Sequence, residues 1–155
     1  MNGTAQRLAD FEAKWRTKLE GSANFMFEVG PVPAVIAAPY TVANTFVAAR
    51  GFKPIGFNWE MLDAAAAPGA PRSAQEAIAG ALEFNMVYTK QEWLGRGAAR
   101  QCAREFAEAF QNGPCTILTN RMDFGWNPVS DAAIEWAFAG FDDSHFALIL
   151  VTAAD

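Results

Sequence analysis

The apolar positions of this chain change period several times, and each change predicts an element. Leu8, Phe11, Trp15 and Leu19 recur at helical spacing over residues 4–20, with Thr4 placed to cap the helix and Gly21 to stop it. Phe25 and Phe27 then alternate with Met26 and Glu28, the period of a half-buried strand over 24–29. Pro31, Pro33 and Pro39 predict an irregular stretch with room for one short helix. Residues 45–50 and 54–62 read as two strands joined through Gly51-Phe52-Lys53, with Pro54 at the tolerated first position of the second. The alanine- and proline-rich residues 64–72 read as a loop, and Ser73 followed by Glu76 is the sequence of a capped helix start.

In the second half, residues 82–88 predict the central strand. Residues 97–111 give the clearest helix: Ala99, Cys102, Ala103, Phe106 and Phe110 share one face, and Asn112-Gly113-Pro114 ends it. Residues 116–120 and 146–152 predict strands, and 125–128 a loop. Residues 130–139 read two ways. Ser130 suits a helix cap, whereas Ile134, Trp136 and Phe138 alternate as in a strand. The sum is an α+β chain with one domain over 1–155: a mixed, twisted, mostly antiparallel sheet flanked by helices, with an N-terminal helical segment over 1–21.

Composition narrows the function classes. With 155 residues, about half apolar, and thirteen phenylalanines and five tryptophans, the chain can bury a substantial core. A net charge of −5 argues against a general nucleic-acid face. No apolar run reaches the length of a membrane span, and the first residues lack the apolar core of a secretory signal, which predicts a cytoplasmic chain. Cys102 and Cys115 form no C-x-x-C pair and read as ordinary reduced thiols, Cys102 in the core. His145 beside Asp142 and Asp143 has no second histidine to complete a ligand set, so a turn is expected there and no metal site.

The strongest candidate chemistry lies in residues 87–100. A predicted strand feeds a turn with Gly95, Gly97, Ala98 and Ala99, small enough for a ligand to approach the backbone, and the turn opens into a helix. The free amides and positive end of that helix would favour a phosphate or pyrophosphate. Arg96 and Arg100 oppose the dipole there, which an anionic partner would explain.

Three segments, taken in order, resemble the GNAT superfamily of N-acetyltransferases over roughly residues 45–152. Residues 45–57 are similar to a hairpin of the "VA…G…VGF" kind, residues 93–99 to the acetyl-CoA pyrophosphate loop, and residues 131–141 to a late helix ending "GF". The resemblance implies an acyl-CoA N-acyltransferase-like sheet splayed at its middle strand. Acetyl-CoA, as co-substrate, would pair its pantetheine arm with Met86, Val87 and Tyr88. Its pyrophosphate would rest on Gly95, Arg96, Gly97, Ala98, Ala99 and Arg100, with Asn120 a further contact. An amine of a small molecule or protein would attack the thioester. Glu83 is the first candidate base and Glu60 the second, with Tyr88 a candidate proton donor. The pattern departs from the family at Leu94, where Gln or Arg is usual, and at Trp136, where many members place a tyrosine.

The missing tyrosine, the small size, the acidic charge and the abundant aromatics support an alternative to the transferase: a non-enzymatic acidic protein-binding module, such as a bacterial immunity or antitoxin-like protein. Residues 132–151 discriminate. A helix over 130–139 fits the transferase, and a β-hairpin with Ile134, Trp136 and Phe138 facing Phe146, Leu148 and Leu150 fits the binding module. A membrane partner is not expected, and a homodimer is open.

Overall fold

The computed structural model describes residues 3–19, 23–86, 88–122 and 125–153. Along the chain run α1 (Gly3–Trp15), β1 (Asn24–Pro31), α2 (Pro39–Ala49), β2 (Glu60–Leu62), α3 (Ala74–Glu83), α4 (Arg96–Glu108), β3 (Thr116–Thr119), β4 (Arg121–Met122), β5 (Gly125–Trp126), β6 (Ile134–Phe141) and β7 (His145–Ala153). Five strands form one sheet in the order β1-β7-β6-β3-β2, every pair antiparallel, while β4 and β5 pair apart from it. The architecture is α+β in a single domain. Its sheet is antiparallel where a mixed one was expected; the single parallel contact among the described residues is the bridge between Asp63 and Ser73.

Residues 134–153 are a β-hairpin, Trp136 opposite Val151 and Phe138 opposite Ile149. Alternation divides its side chains between two cores. Phe138, Ala147, Ile149 and Val151 meet α1, α3 and α4 on one face. Ala137, Ala139, Phe146, Leu148 and Leu150 meet α2 on the other. Phe138 therefore faces the opposite side from Phe146, Leu148 and Leu150, against the expected pairing, because residues opposite each other across a ladder share a face. Burial on both faces explains the unbroken apolar run of β7.

Helix α4 lies close to the sheet because Gly140 has no Cβ. One built there would stand 2.9 Å from the Phe110 ring and 3.0 Å from that of Phe106. Phe106 joins a ring cluster with Phe11, Phe27 and Phe110. Leu8, Phe11, Trp15 and Leu19 are all buried, as the spacing predicts.

Several sequence expectations give way. Residues 45–49 are helical, not β, and Arg50 caps the helix end: Val42, Ala43, Phe46 and Val47 form one buried face of α2, and Pro39 sits in its first turn. The hairpin over 45–62 is thus absent, and only Glu60–Leu62 of its second half is a strand. Residues 82–88 are not the central strand. Ile78 and Leu82 belong to the buried face of α3, which runs to Glu83, and the chain then turns irregularly; Val87 lies outside the described residues. Helix α1 ends at Trp15, followed by a 3-10 turn over Thr17–Leu19, so the N-terminal helix is shorter than 1–21; Gly21 lies outside the described residues. Thr4 lies inside α1 and bonds elsewhere, as follows.

Two buried carboxylates flank the core of β6. Glu135 accepts from the amides of Val129 (2.8 Å) and Ser130 (3.0 Å), the Ser130 hydroxyl (2.6 Å) and Asn120 Nδ2 (2.7 Å). Asp142, 2 % exposed, accepts on one oxygen from the Thr4 hydroxyl and the Asn112 amide, and on the other from the Ser144 hydroxyl and the amides of Ser144 and His145. Asp142 thus ties α1, the α4–β3 connection and the β6–β7 turn together.

Burial alone would raise the Asp142 carboxyl, but the donors from Thr4, His145, Ser144 and Asn112 outweigh it and hold it at about 2. A drop from 3.8 to about 2 corresponds to about 2 kcal/mol of linkage. Because the folded value is depressed, that stabilisation is complete above the ordinary carboxylate value and is lost as pH falls through about 2. Asp142→Asn should lower the unfolding free energy by about 2 kcal/mol at neutral pH. Urea titrations should show the gap to the unaltered chain closing between about pH 4 and pH 2; a gap constant with pH would refute the charge-based account.

Candidate binding surface

The layer over the second core presents an apolar outer surface. Residues 29–49 carry no charged side chain. Val42, Ala43, Phe46 and Val47 turn inward, and Phe46 stacks on Phe146 at 4.2 Å between ring centres. The preceding segment, 32–38, contains one proline and three alanines, with Pro33 half-buried and Ala34, Ala37 and Ala38 exposed. It is tied down by the Val32 amide donating to the Ser144 carbonyl (3.0 Å), and it leaves Ile36 fully exposed and Val35 38 % exposed. A groove of about 880 Å³ runs between this segment and residues 141–144 at the β6–β7 turn.

Asn44 fixes a second part of the surface. Its Oδ1 accepts from the Ile55 amide and from Trp59 Nε1, both at 2.9 Å, and its Nδ2 donates to the Gly56 carbonyl at 3.0 Å. These bonds pin residues 55–59 to α2 while Trp59 enters the core and Phe57 stays 80 % exposed. Phe57 contacts Tyr40, ring centres 4.9 Å apart. One polar side chain thus holds an apolar ring in water, an arrangement that folding of this domain does not require.

The sequence-predicted site residues stand on different elements. Glu60 is on edge strand β2 and pairs with Arg72 (3.1 Å). Glu83 is the last residue of α3; its backbone carbonyl accepts from the amides of Trp93 (2.9 Å) and Gly95 (3.2 Å). Tyr88 is exposed, its amide donating to Asn85 Oδ1 at 2.9 Å. Among the described residues no hydrogen bond joins any two of these three side chains. Met86 packs against the first core, and Val87 lies outside the described residues. Asn120 is buried and spent internally: Oδ1 accepts from the Ala137 amide (2.8 Å), and Nδ2 donates to Glu135 and to the Asn127 carbonyl (3.0 Å).

Gly95 does open α4, at φ 79°, a left-handed value that suits glycine. Arg96, Gly97, Ala98, Ala99 and Arg100 form the first turn, with open space around Gly97 and Arg100 4.0 Å from Glu76. The carboxylate of Glu92 lies within 3.4–3.7 Å of where a Gly95 Cβ would stand, so the chain already brings its own anion beside this helix end.

Other chemistry is limited. Burial raises both thiols, Cys115 to about 12 with Asp142 adding to the effect, which removes them as nucleophiles at neutral pH. Among the described residues no group of three or more His, Cys, Asp and Glu side chains could hold a metal ion, and no helix is long and apolar enough to cross a membrane. His145 Nδ1 lies 2.9 Å from the Ser144 hydroxyl, within the expected turn.

No protein-family model, curated protein or solved structure matches this chain.

If Ile36 and Phe57 serve a surface and not the core, removing them should hardly affect stability. Ile36→Ser and Phe57→Ser should each change the unfolding free energy by no more than about 0.5 kcal/mol. Phe46→Ala, beneath them, should cost about 3–5 kcal/mol. Chemical denaturation of the three variants decides; a loss of several kcal/mol at Phe57 would return that ring to the core.

Proposed function

We infer that this chain is a non-enzymatic protein-binding module that docks its partner on the uncharged surface formed by residues 32–38, Tyr40 and Phe57. The observation that carries this reading is the exposure of Ile36 and Phe57 on a layer held in place by Asn44. Burying such side chains against a partner recovers apolar area that folding leaves in water, about 25 cal/mol per Å². The hairpin over 134–153 favours the same reading. The acidic charge would steer a basic partner.

A second reading, acetyl-CoA-dependent N-acetyl transfer to a primary amine, is favoured by one observation. Gly97 faces open space in the first turn of α4, beside Arg96, where a pyrophosphate would be received.

Photo-cross-linking separates the two. A photoreactive residue at position 36 should give one adduct of fixed mass in the source cells, and the same residue at position 104 on α4 should give none. The complex rebuilt from the purified partner should weaken about tenfold or more with Ile36→Asp. Equal adducts at both positions, or none at 36, would sink the binding-module reading. Calorimetric titration with acetyl-CoA should give no heat; selective micromolar binding, abolished by Gly97→Asp, would favour acyl transfer instead.

A further inference from the structure

We propose that the groove between residues 32–37 and the β6–β7 turn receives an apolar segment of the partner flanked by lysine or arginine; this rests on the binding-module reading above. Charge complementarity carries it. One wall is apolar, from Val32, Pro33, Val35 and Ile36, with Phe141 beneath. The other ends in Asp142 and Asp143. Among the described residues that line the groove none is basic, and the whole run 29–49 is uncharged. Arg50, which donates to the Val29 carbonyl (2.8 Å), is neutralised by Glu28 at 2.7 Å.

The two aspartates act differently. Both oxygens of Asp142 are filled by donors from Thr4, Asn112, Ser144 and His145, so it contributes a fixed negative charge and no further hydrogen bond. Asp143 is exposed at the rim of the groove, its carboxylate lying over Gly113, and it is the carboxylate an incoming cation would meet. An apolar side chain lying against Ile36, with an ammonium or guanidinium reaching Asp143, satisfies both walls. An acidic flank would set like charges across the groove, and the net charge of −5 adds to that repulsion.

Three synthetic peptides with one leucine-rich core, flanked by lysines, serines or glutamates, test this by NMR titration of the isotope-labelled full chain. The lysine-flanked peptide should shift the amides of residues 32, 34–37 and 141–144 and bind about tenfold tighter than the glutamate-flanked one. That preference should collapse in Asp143→Asn and as salt rises to about 1 M, where screening is nearly complete. Ile36→Asp should abolish binding. Equal binding of all three peptides at these amides overturns the charge selectivity while leaving the surface in use. Absence of shifts there with every peptide overturns the groove assignment, and the cross-link at position 36 reports separately on the binding module. Concentration-dependent shifts in the peptide-free chain, lost in Ile36→Asp, would identify a second copy as occupant and also overturn the proposal.

Discussion

A strand pair buried on both faces must end somewhere, and its ends are where backbone amides lose the ladder without gaining water. In this fold β6 and β7 are that pair. An unpaired buried amide costs about 1–3 kcal/mol, so loops entering and leaving such strands need acceptors inside the protein. Glu135 and Asp142 provide them at opposite ends of β6. A carboxylate suits the task because it offers two oxygens and no donor of its own. Each collects four or five donors, with Asn120 for Glu135 and Thr4 and Asn112 for Asp142 coming from segments distant in sequence, and among the described residues no buried side-chain polar atom lacks a partner. The rest of the architecture hangs on these two points. Asp142 fixes where α1 begins relative to the hairpin, and Glu135 fixes the path of residues 127–130 into β6.

The sheet's outer edges meet a related demand with the opposite charge. On β1, Arg50 donates to the Val29 carbonyl and pairs with Glu28. On β2, Arg72 donates to the Met61 carbonyl and pairs with Glu60. At each edge an arginine covers a carbonyl that would otherwise invite another strand, and a glutamate on the same strand balances its charge. This reading gives Glu60 a structural partner.

Legibility in the sequence followed the contrast between polar and apolar positions. Helices α1 and α4 bury one stripe and expose charges on the other, so Leu8 to Leu19 and Ala99 to Phe110 identify themselves. The Ser73 cap is equally local: its hydroxyl accepts from the Glu76 amide at 3.1 Å. Helix α2 lacks the contrast, because its exposed side is Thr and Ala, and the run 45–50 then resembles a strand. The spacing of Val42, Ala43, Phe46 and Val47 behind Pro39 was the available signal. Residues 82–88 misled in the reverse sense, since the apolar end of α3 runs straight into them. The candidate surface was not legible at all. Ile36 and Phe57 are the residue types of a core, and only the bonds of Asn44 and the path of 32–38 show that they face water.

The same physics bears on the choice between chemistry and binding. A catalytic site needs titratable groups converging on one volume with perturbed proton affinity. The carboxylates buried among the described residues, Glu135 and Asp142, instead accept four and five hydrogen bonds from the protein, which makes them anchors of the fold. At α4, where an anionic cofactor would be drawn, Glu92 already stands beside Gly95. A pyrophosphate drawn there would meet the repulsion of that carboxylate, which offsets part of the gain from the helix dipole. The apolar layer over α2 has no such internal competitor. Ile36 and most of the Phe57 ring meet water, so a complementary surface would gain the transfer free energy of the exposed area it covers.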